Sequence, residues 1–189
     1  MNTMEGESHT QIPHVLIFPL PFQGHINPML KLAELLSLAG ITVTFLNTPH
    51  SHRHLTLHSD VLSRFSRFPA FRFLTITDGL PPDHPRTFDY CADFITSFET
   101  VTKPILRDFL VSGHFGSDLT CVILDGFFKF LVDADDAEIK IPIFGFRLLS
   151  ACSVWTYFCV HDLIQDGQLP IRGFFFDPLR IGNKCLFVS

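Results

Sequence analysis

The chain has 189 residues, the length of one ordinary domain, and a formal charge of −5. Hydrophobic residues make up 47% and charged residues 17%, which allows a sizeable core and excludes wholesale disorder. The acidic balance and the lack of any Lys/Arg block speak against nucleic acid and against an anionic membrane surface as partners. Phe occurs 22 times, so the core should be rich in aromatic packing. The five cysteines, Cys91, Cys121, Cys152, Cys159 and Cys185, contain no C-x-x-C pair and are odd in number. They read as reduced thiols rather than as a disulfide framework or a zinc site. Residues 1–12 form a polar tail without the basic start and apolar stretch of a signal peptide. No run approaches the roughly 18 apolar residues of a membrane span. A cytoplasmic protein without stable membrane insertion is the expectation.

In chain order, the apolar run His14-Val15-Leu16-Ile17-Phe18 reads as a strand. The loop Pro21-Phe22-Gln23-Gly24-His25-Ile26-Asn27-Pro28 follows, then an amphipathic segment from Met29 to Ala39 that stops at Gly40. Asn27 suits an N-cap, Pro28 the first helical position and Gly40 the left-handed residue after the last turn. His25 is thereby expected in a loop, two residues before the cap. Ile41 to Leu46 is β-branched and apolar, a second strand, so the opening reads as a βαβ unit with parallel strands. Residues 49–58, PHSHRHLTLH, read as a surface loop. Phe71 to Ile76 is a third strand that closes on the turn-rich Asp78-Gly79-Leu80-Pro81-Pro82. Thr87 to Leu110 is helical by its apolar spacing, with Pro104 expected to kink or split it. Cys121 to Leu124 is a continuous apolar run, as in a strand buried on both faces, ended by Asp125-Gly126. A helix from Phe127 to Ala137, a strand from Ile141 to Phe146 and a helix from Ser150 to Ile164 complete the order. That order implies an α/β fold, a doubly wound, mostly parallel, Rossmann-like sheet.

In such sheets ligands bind at the carboxyl ends of the strands. The first loop there holds neither G-x-G-x-x-G nor a Walker A sequence; it holds His25. A neutral imidazole beside a helix N-terminus can accept a proton, which suits a general base; the plain alternative is a loop histidine bonded to backbone. Asp125 stands at the end of another parallel strand and could be its neighbour in space, fixing the tautomer and stabilising the imidazolium once formed. Alone, Asp125 would read as a helix cap or the corner of an Asp-Gly turn. No G-x-S-x-G elbow is present, which removes the serine-hydrolase reading. His50, His52, His54 and His58 have the composition of a metal site, but no Cys, Asp or Glu accompanies them before Asp60, and no metal is expected. Phe127, Phe128 and Phe130 read as core, or as the wall of an apolar pocket beyond Asp125.

The run VLIFPLPFQGHINP, with MLKLAELLSLAGITVTFLNT after it, resembles the opening of the plant family 1 UDP-glycosyltransferases. The resemblance continues through Asp78 to Pro82, Cys121 to Gly126, Ser150-Ala151-Cys152 and Leu163 to Pro170, and so covers about residues 13–173. KLAELLSLAGITVTFLNT and DGLPPDHPR look most like the branch acting on terpenoid and iridoid acids, cyanohydrins and related aglycones. The resemblance implies the N-terminal, acceptor-binding domain of a GT-B enzyme. It implies an inverting, metal-independent transfer of a sugar, commonly glucose, from a UDP-sugar to a hydroxyl or carboxyl of a small plant metabolite. UDP-sugar is then a co-substrate, and no cofactor is implied. His25 matches the family's base and Asp125 its acidic partner; Gln23 and Gly24 match positions on the acceptor side, and Ser150 falls near a position that approaches the donor sugar. The family's donor-binding domain has no counterpart here, and the tail 174–189 resembles no segment of the family. The chain alone is therefore expected to be inactive unless a donor domain is supplied elsewhere. The competing reading is a catalytically silent module that binds acceptors or partners.

Overall fold

The structure is a computed structural model and describes residues 12–116, 118–131 and 136–169. The described residues form two compact units, one ending at Leu148 and one beginning at Leu149. The first holds β1 (His14–Phe18), α1 (Gln23–Leu38), β2 (Thr42–Asn47), α2 (Pro49–His58), α3 (Val61–Phe65), β3 (Phe71–Thr75), α4 (Cys91–Ser97), α5 (Lys103–Val111), β4 (Leu119–Asp125) and β5 (Ile143–Phe146). The second holds α6 (Ala151–Gln165). Among the described residues no helix is long and apolar enough to cross a membrane.

All five strands are parallel, in the order β3-β2-β1-β4-β5. The chain builds outward from β1 to β2 and β3, then returns to place β4 on the other side of β1. The strand order reverses between β1 and β4, and a crevice opens at such a switch point above the carboxyl ends. Alternation along each strand divides the apolar residues between the faces. Val15, Ile17, Val43 and Phe45 pack with Ile26, Met29 and Leu30 of α1 and with Val61 and Phe65 of α3. Leu16, Phe18 and Leu46 pack on the opposite face with Phe94, Phe98, Leu106 and Leu110. Phe98 is the hub of that second layer, fully buried, with ring centroids 4.3 Å from Phe94, 5.1 Å from Phe128 and 6.2 Å from Phe18.

Several elements depart from the sequence reading. α1 begins at Gln23, so Asn27 is not its cap and Pro28 lies inside it. Phe22, in extended conformation, ends the loop, and its carbonyl accepts from the N–H groups of His25 and Ile26, both at 2.9 Å. Pro28 removes its own N–H bond to the Gly24 carbonyl and crowds that carbonyl, a cost borne in the second turn of the helix. Residues 49–58 are helix α2 rather than loop: Thr48 caps it by accepting the Ser51 N–H at 3.2 Å, and Pro49 occupies the first turn. The segment after β4 is a 3₁₀ turn, Gly126–Leu131, and residues 132–135 of the expected helix lie outside the described residues. The Asp125 carboxylate accepts the Phe127 N–H at 3.0 Å, closing a tight turn at the point where an α-helix would have started. The segment around Pro104 is split: α4 gives way to a π turn, Phe98–Thr102, before α5 resumes with Pro104 in its first turn. The missing Pro104 N–H is met by a wider turn instead of a kinked α-helix. β5 starts at Ile143 rather than Ile141, and the Pro142 carbonyl accepts from Val122. Gly40 takes φ +78° at the end of α1, as its position required. The boundary expected at residue 173, and the tail 174–189, lie outside the described residues.

At the amino edge of the sheet, His14 is buried at 2% exposure among polar partners. Its Nε2 is 2.8 Å from the Thr44 hydroxyl, which also accepts from Arg72 Nε at 2.8 Å, and its Nδ1 is 3.4 Å from Asp118. A neutral ring with Nδ1–H toward Asp118, accepting the Thr44 O–H at Nε2, satisfies all three groups. Burial lowers the His14 pKa below its ordinary value of 6.5; Asp118 opposes the shift and Arg72 adds to it. The unfolded chain binds this proton more readily, so the stabilisation is complete above pH 6.5 and is lost as pH falls toward the depressed folded value. The urea midpoint should therefore drop between pH 7.5 and 5.5, and drop less in His14→Gln; equal drops would contradict the assignment. Phe98→Ala should cost about 3–5 kcal/mol in the same assay, as expected for a fully buried aromatic.

Candidate active site

β1 and β4 are adjacent and parallel, with Phe18 level with Leu124, so their continuations meet at the rim. From β1 the chain passes through Leu20 and Phe22 into α1, and His25 falls in that helix's first turn. From β4 the rim residue is Asp125, buried at 2% exposure. Asp125 Oδ2 accepts from His25 Nδ1 at 2.7 Å and from the Leu20 N–H at 3.4 Å, while Oδ1 accepts from the Phe127 N–H. The turn-corner role and the histidine-partner role of Asp125 are thus both filled, one by each oxygen. Two backbone N–H groups hold the carboxylate from either strand end, which fixes where it meets the ring.

With Nδ1–H committed to Asp125, the lone pair on Nε2 is left to accept a proton from an incoming group. The His25 side chain is 24% exposed, against 1% for Asp125, so the imidazole reaches solvent and its partner does not. Phe127 stands edge-on to the His25 ring at 5.5 Å and 77°, and is itself 46% exposed. It forms an apolar wall beside the imidazole. Phe128, next in sequence, is fully buried against Phe18 at 4.9 Å. The sequence left Phe127 and Phe128 as equivalent members of one stripe; alternation through the 3₁₀ turn separates them.

The loop after β3 reaches the same rim and is held rigidly. Arg86 donates through Nε and Nη2 to Asp78 at 2.9 and 3.2 Å, and through Nη1 and Nη2 to the carbonyls of Pro81, His84 and Leu80. All five guanidinium N–H groups are committed within residues 78–86. Gly79 has φ +70° and lies against Ser97 and Val101, so a Cβ there would meet the Ser97 hydroxyl at 2.6 Å. Sequence reading singled out the loop's turn residues but not Arg86, because nothing local marks which arginine closes on which carbonyls.

The remaining sequence candidates are placed differently. Gln23 is exposed and, with Asn27 and Leu30, lines a cleft of about 570 Å³ whose opposite wall includes His50, His54 and His58 of α2. His25 does not line that cleft, because the turn of α1 that aims His25 at β4 carries Gln23 and Asn27 toward α2. Gly24 faces open space, where a Cβ would meet nothing within 4 Å. Ser150 caps α6, accepting from the Ser153 N–H at 3.2 Å.

A buried carboxylate thus holds a partly exposed imidazole at the switch point of a doubly wound sheet, where the free ring nitrogen can accept a proton. Residues 12–167 match the family model described as the N-terminal domain of glycosyltransferases, and the chain belongs to that family. It is 45% identical over 174 residues to 7-deoxyloganetic acid glucosyltransferase of Catharanthus roseus, an alignment covering 89% of this chain and 36% of that protein. It is 36% identical over 163 residues to (R)-mandelonitrile beta-glucosyltransferase of Prunus dulcis, covering 85% of this chain and 33% of the other. Its fold matches an Arabidopsis thaliana glycosyltransferase solved with UDP-L-rhamnose, at a TM-score of 0.60 and 25% identity, covering 81% of this chain and 38% of that one. The chain spans about a third of the length of the curated relatives it matches.

The Asp125 bond should set the His25 tautomer. In ¹⁵N-resolved spectra at pH 7.5, His25 should carry its proton on Nδ1; in Asp125→Asn, where an amide N–H can face the ring, the population should shift toward Nε2–H. An unchanged tautomer would mean that Asp125 does not govern the ring.

Proposed function

We propose that these residues form the acceptor side of a UDP-sugar-dependent glycosyltransferase that transfers a sugar, glucose by the names of the relatives, to a hydroxyl or carboxyl of a small plant metabolite. The observation that carries the reading is the 2.7 Å bond from His25 Nδ1 to Asp125 Oδ2 at the sheet's switch point, in a chain of this family. His25 Nε2 takes the acceptor O–H proton as the acceptor oxygen attacks the anomeric carbon. The bond from that carbon to the UDP oxygen breaks with its electron pair, UDP departs, and the configuration inverts. Asp125 stabilises the imidazolium that forms, and Phe127 limits water beside it. Gln23 and Gly24 are assigned to the acceptor side and Ser150 to the approach of the donor sugar, on the family's pattern alone. Groups that grip UDP would stabilise the leaving charge. On the family's pattern such groups belong to a donor-binding domain, and the chain matches only 36% of the Catharanthus roseus relative, so the 189-residue chain by itself is expected to show no transfer.

The chemistry separates two acceptor types. A hydroxyl must lose its proton during attack, whereas a carboxylic acid is already ionised at neutral pH and needs the base far less. The test joins residues 1–167 to the remaining portion of the Catharanthus roseus relative and assays the chimera with UDP-glucose. His25→Ala should lower kcat on hydroxyl acceptors roughly 10²–10⁴-fold, with a much smaller loss on carboxylate acceptors. An undiminished rate on hydroxyl acceptors would overturn the base assignment. Turnover by the 189-residue chain alone would overturn the requirement for a donor portion.

A further inference from the structure

The histidines of α2 recur at 50, 54 and 58, a spacing of four that places them on one stripe of the helix. Their rings stand in succession, with centroids 4.7 Å apart from His50 to His54 and 5.4 Å apart from His54 to His58. All three line the cleft between α1 and α2, and His54 and His58 are exposed. His52 lies off the stripe, its ring 5.5 Å from Phe73. The stripe faces a different side of α1 from His25.

The separations have a specific meaning for a metal ion. A metal–nitrogen bond of about 2.0–2.1 Å places an imidazole centre about 3.2 Å from the metal. Two rings bound at right angles then stand about 4.5 Å apart, and two bound at a tetrahedral angle about 5.2 Å. The observed 4.7 and 5.4 Å fall at and just beyond these values. We propose that His54, together with His50 or His58, chelates a divalent transition metal of the imidazole-preferring class, Ni²⁺, Cu²⁺ or Zn²⁺, with water completing the coordination. Among the described residues no three His, Cys, Asp or Glu side chains are arranged to hold a metal, so the site has two protein ligands and exchanges its metal readily. Neutral imidazole on consecutive turns supplies the chelate, because the second ligand binds at high local concentration once the first is engaged. The same stripe has a consequence for the fold. Ser51 of the first turn of α2 reaches the Pro21 carbonyl at 3.4 Å, so a metal that clamps α2 also steadies the loop leading to His25.

The test is calorimetric titration of the chain with Ni²⁺, which does not oxidise thiols, at pH 7.5, with circular dichroism to confirm that each variant is folded. One site is expected per chain, with a rise in Tm at saturating Ni²⁺. His54→Ala should weaken binding by roughly tenfold or more, and His50→Ala and His58→Ala each by less, since His54 retains the other partner. The double variant His50→Ala/His58→Ala should match His54→Ala, and His161→Ala on α6 should bind as the unaltered chain does. Wild-type affinity in His54→Ala, or an equal loss in His161→Ala, would show adventitious binding only and would overturn the site.

Discussion

Everything at the rim depends on one buried carboxylate. Asp125 joins the ends of two adjacent parallel strands, taking the Leu20 N–H from the continuation of β1 and the Phe127 N–H from its own turn. An ionised carboxylate at 2% exposure is costly to bury unless its lone pairs are filled, and here donors fill both oxygens. The third donor is His25, so the same arrangement that makes burial tolerable also fixes the ring's tautomer and the direction of its free nitrogen. Local folding and chemistry therefore impose the same requirement on this residue.

The aromatic layer on one face of the sheet supports that pair. Phe22, at the entry to α1, packs its ring 5.4 Å from Phe94 on the opposite layer, and Phe94 continues into the Phe98–Phe128–Phe18 cluster under Asp125. A shift of the aromatic layer would move the chain that leads into the first turn of α1 and so His25. The rim loop closed by Arg86 onto Asp78 is tied to the same helical segment, through Ser97 Oγ to the Asp78 carbonyl at 2.7 Å and Thr102 Oγ1 to the Thr77 carbonyl at 2.9 Å. The π turn between α4 and α5 sits between these two bonds. A wide turn there is a local cost of Pro104, and it places two hydroxyls where the loop's carbonyls need donors.

The two sides of α1 face different surroundings. One turns His25 toward β4, and the other presents Gln23 and Asn27 to α2 and its histidine stripe. A helix of 3.6 residues per turn divides neighbouring residues between such sites, and this is why the sequence cluster around Gln23-Gly24-His25 does not stay together in space.

The class of fold, the positions of all five strands to within two residues, and the identity of the His25 and Asp125 candidates were legible in the sequence. Those features are local or periodic: continuous apolar runs, the left-handed Gly40, a strand ending in Asp-Gly. Element starts were less legible, because Asn27-Pro28 and the polar run after Pro49 carry helix-start and loop signals that tertiary packing and the Thr48 cap resolved differently. That 100 residues of separation close to a 2.7 Å bond, that Phe127 and not Phe128 stands against the imidazole, and that Gln23 lines a cleft which His25 does not are set by the tertiary structure. Each depends on the strand order, which places β4 beside β1, and on the angular position of side chains around α1 and the 3₁₀ turn. No spacing along the chain encodes those two quantities until the sheet has formed.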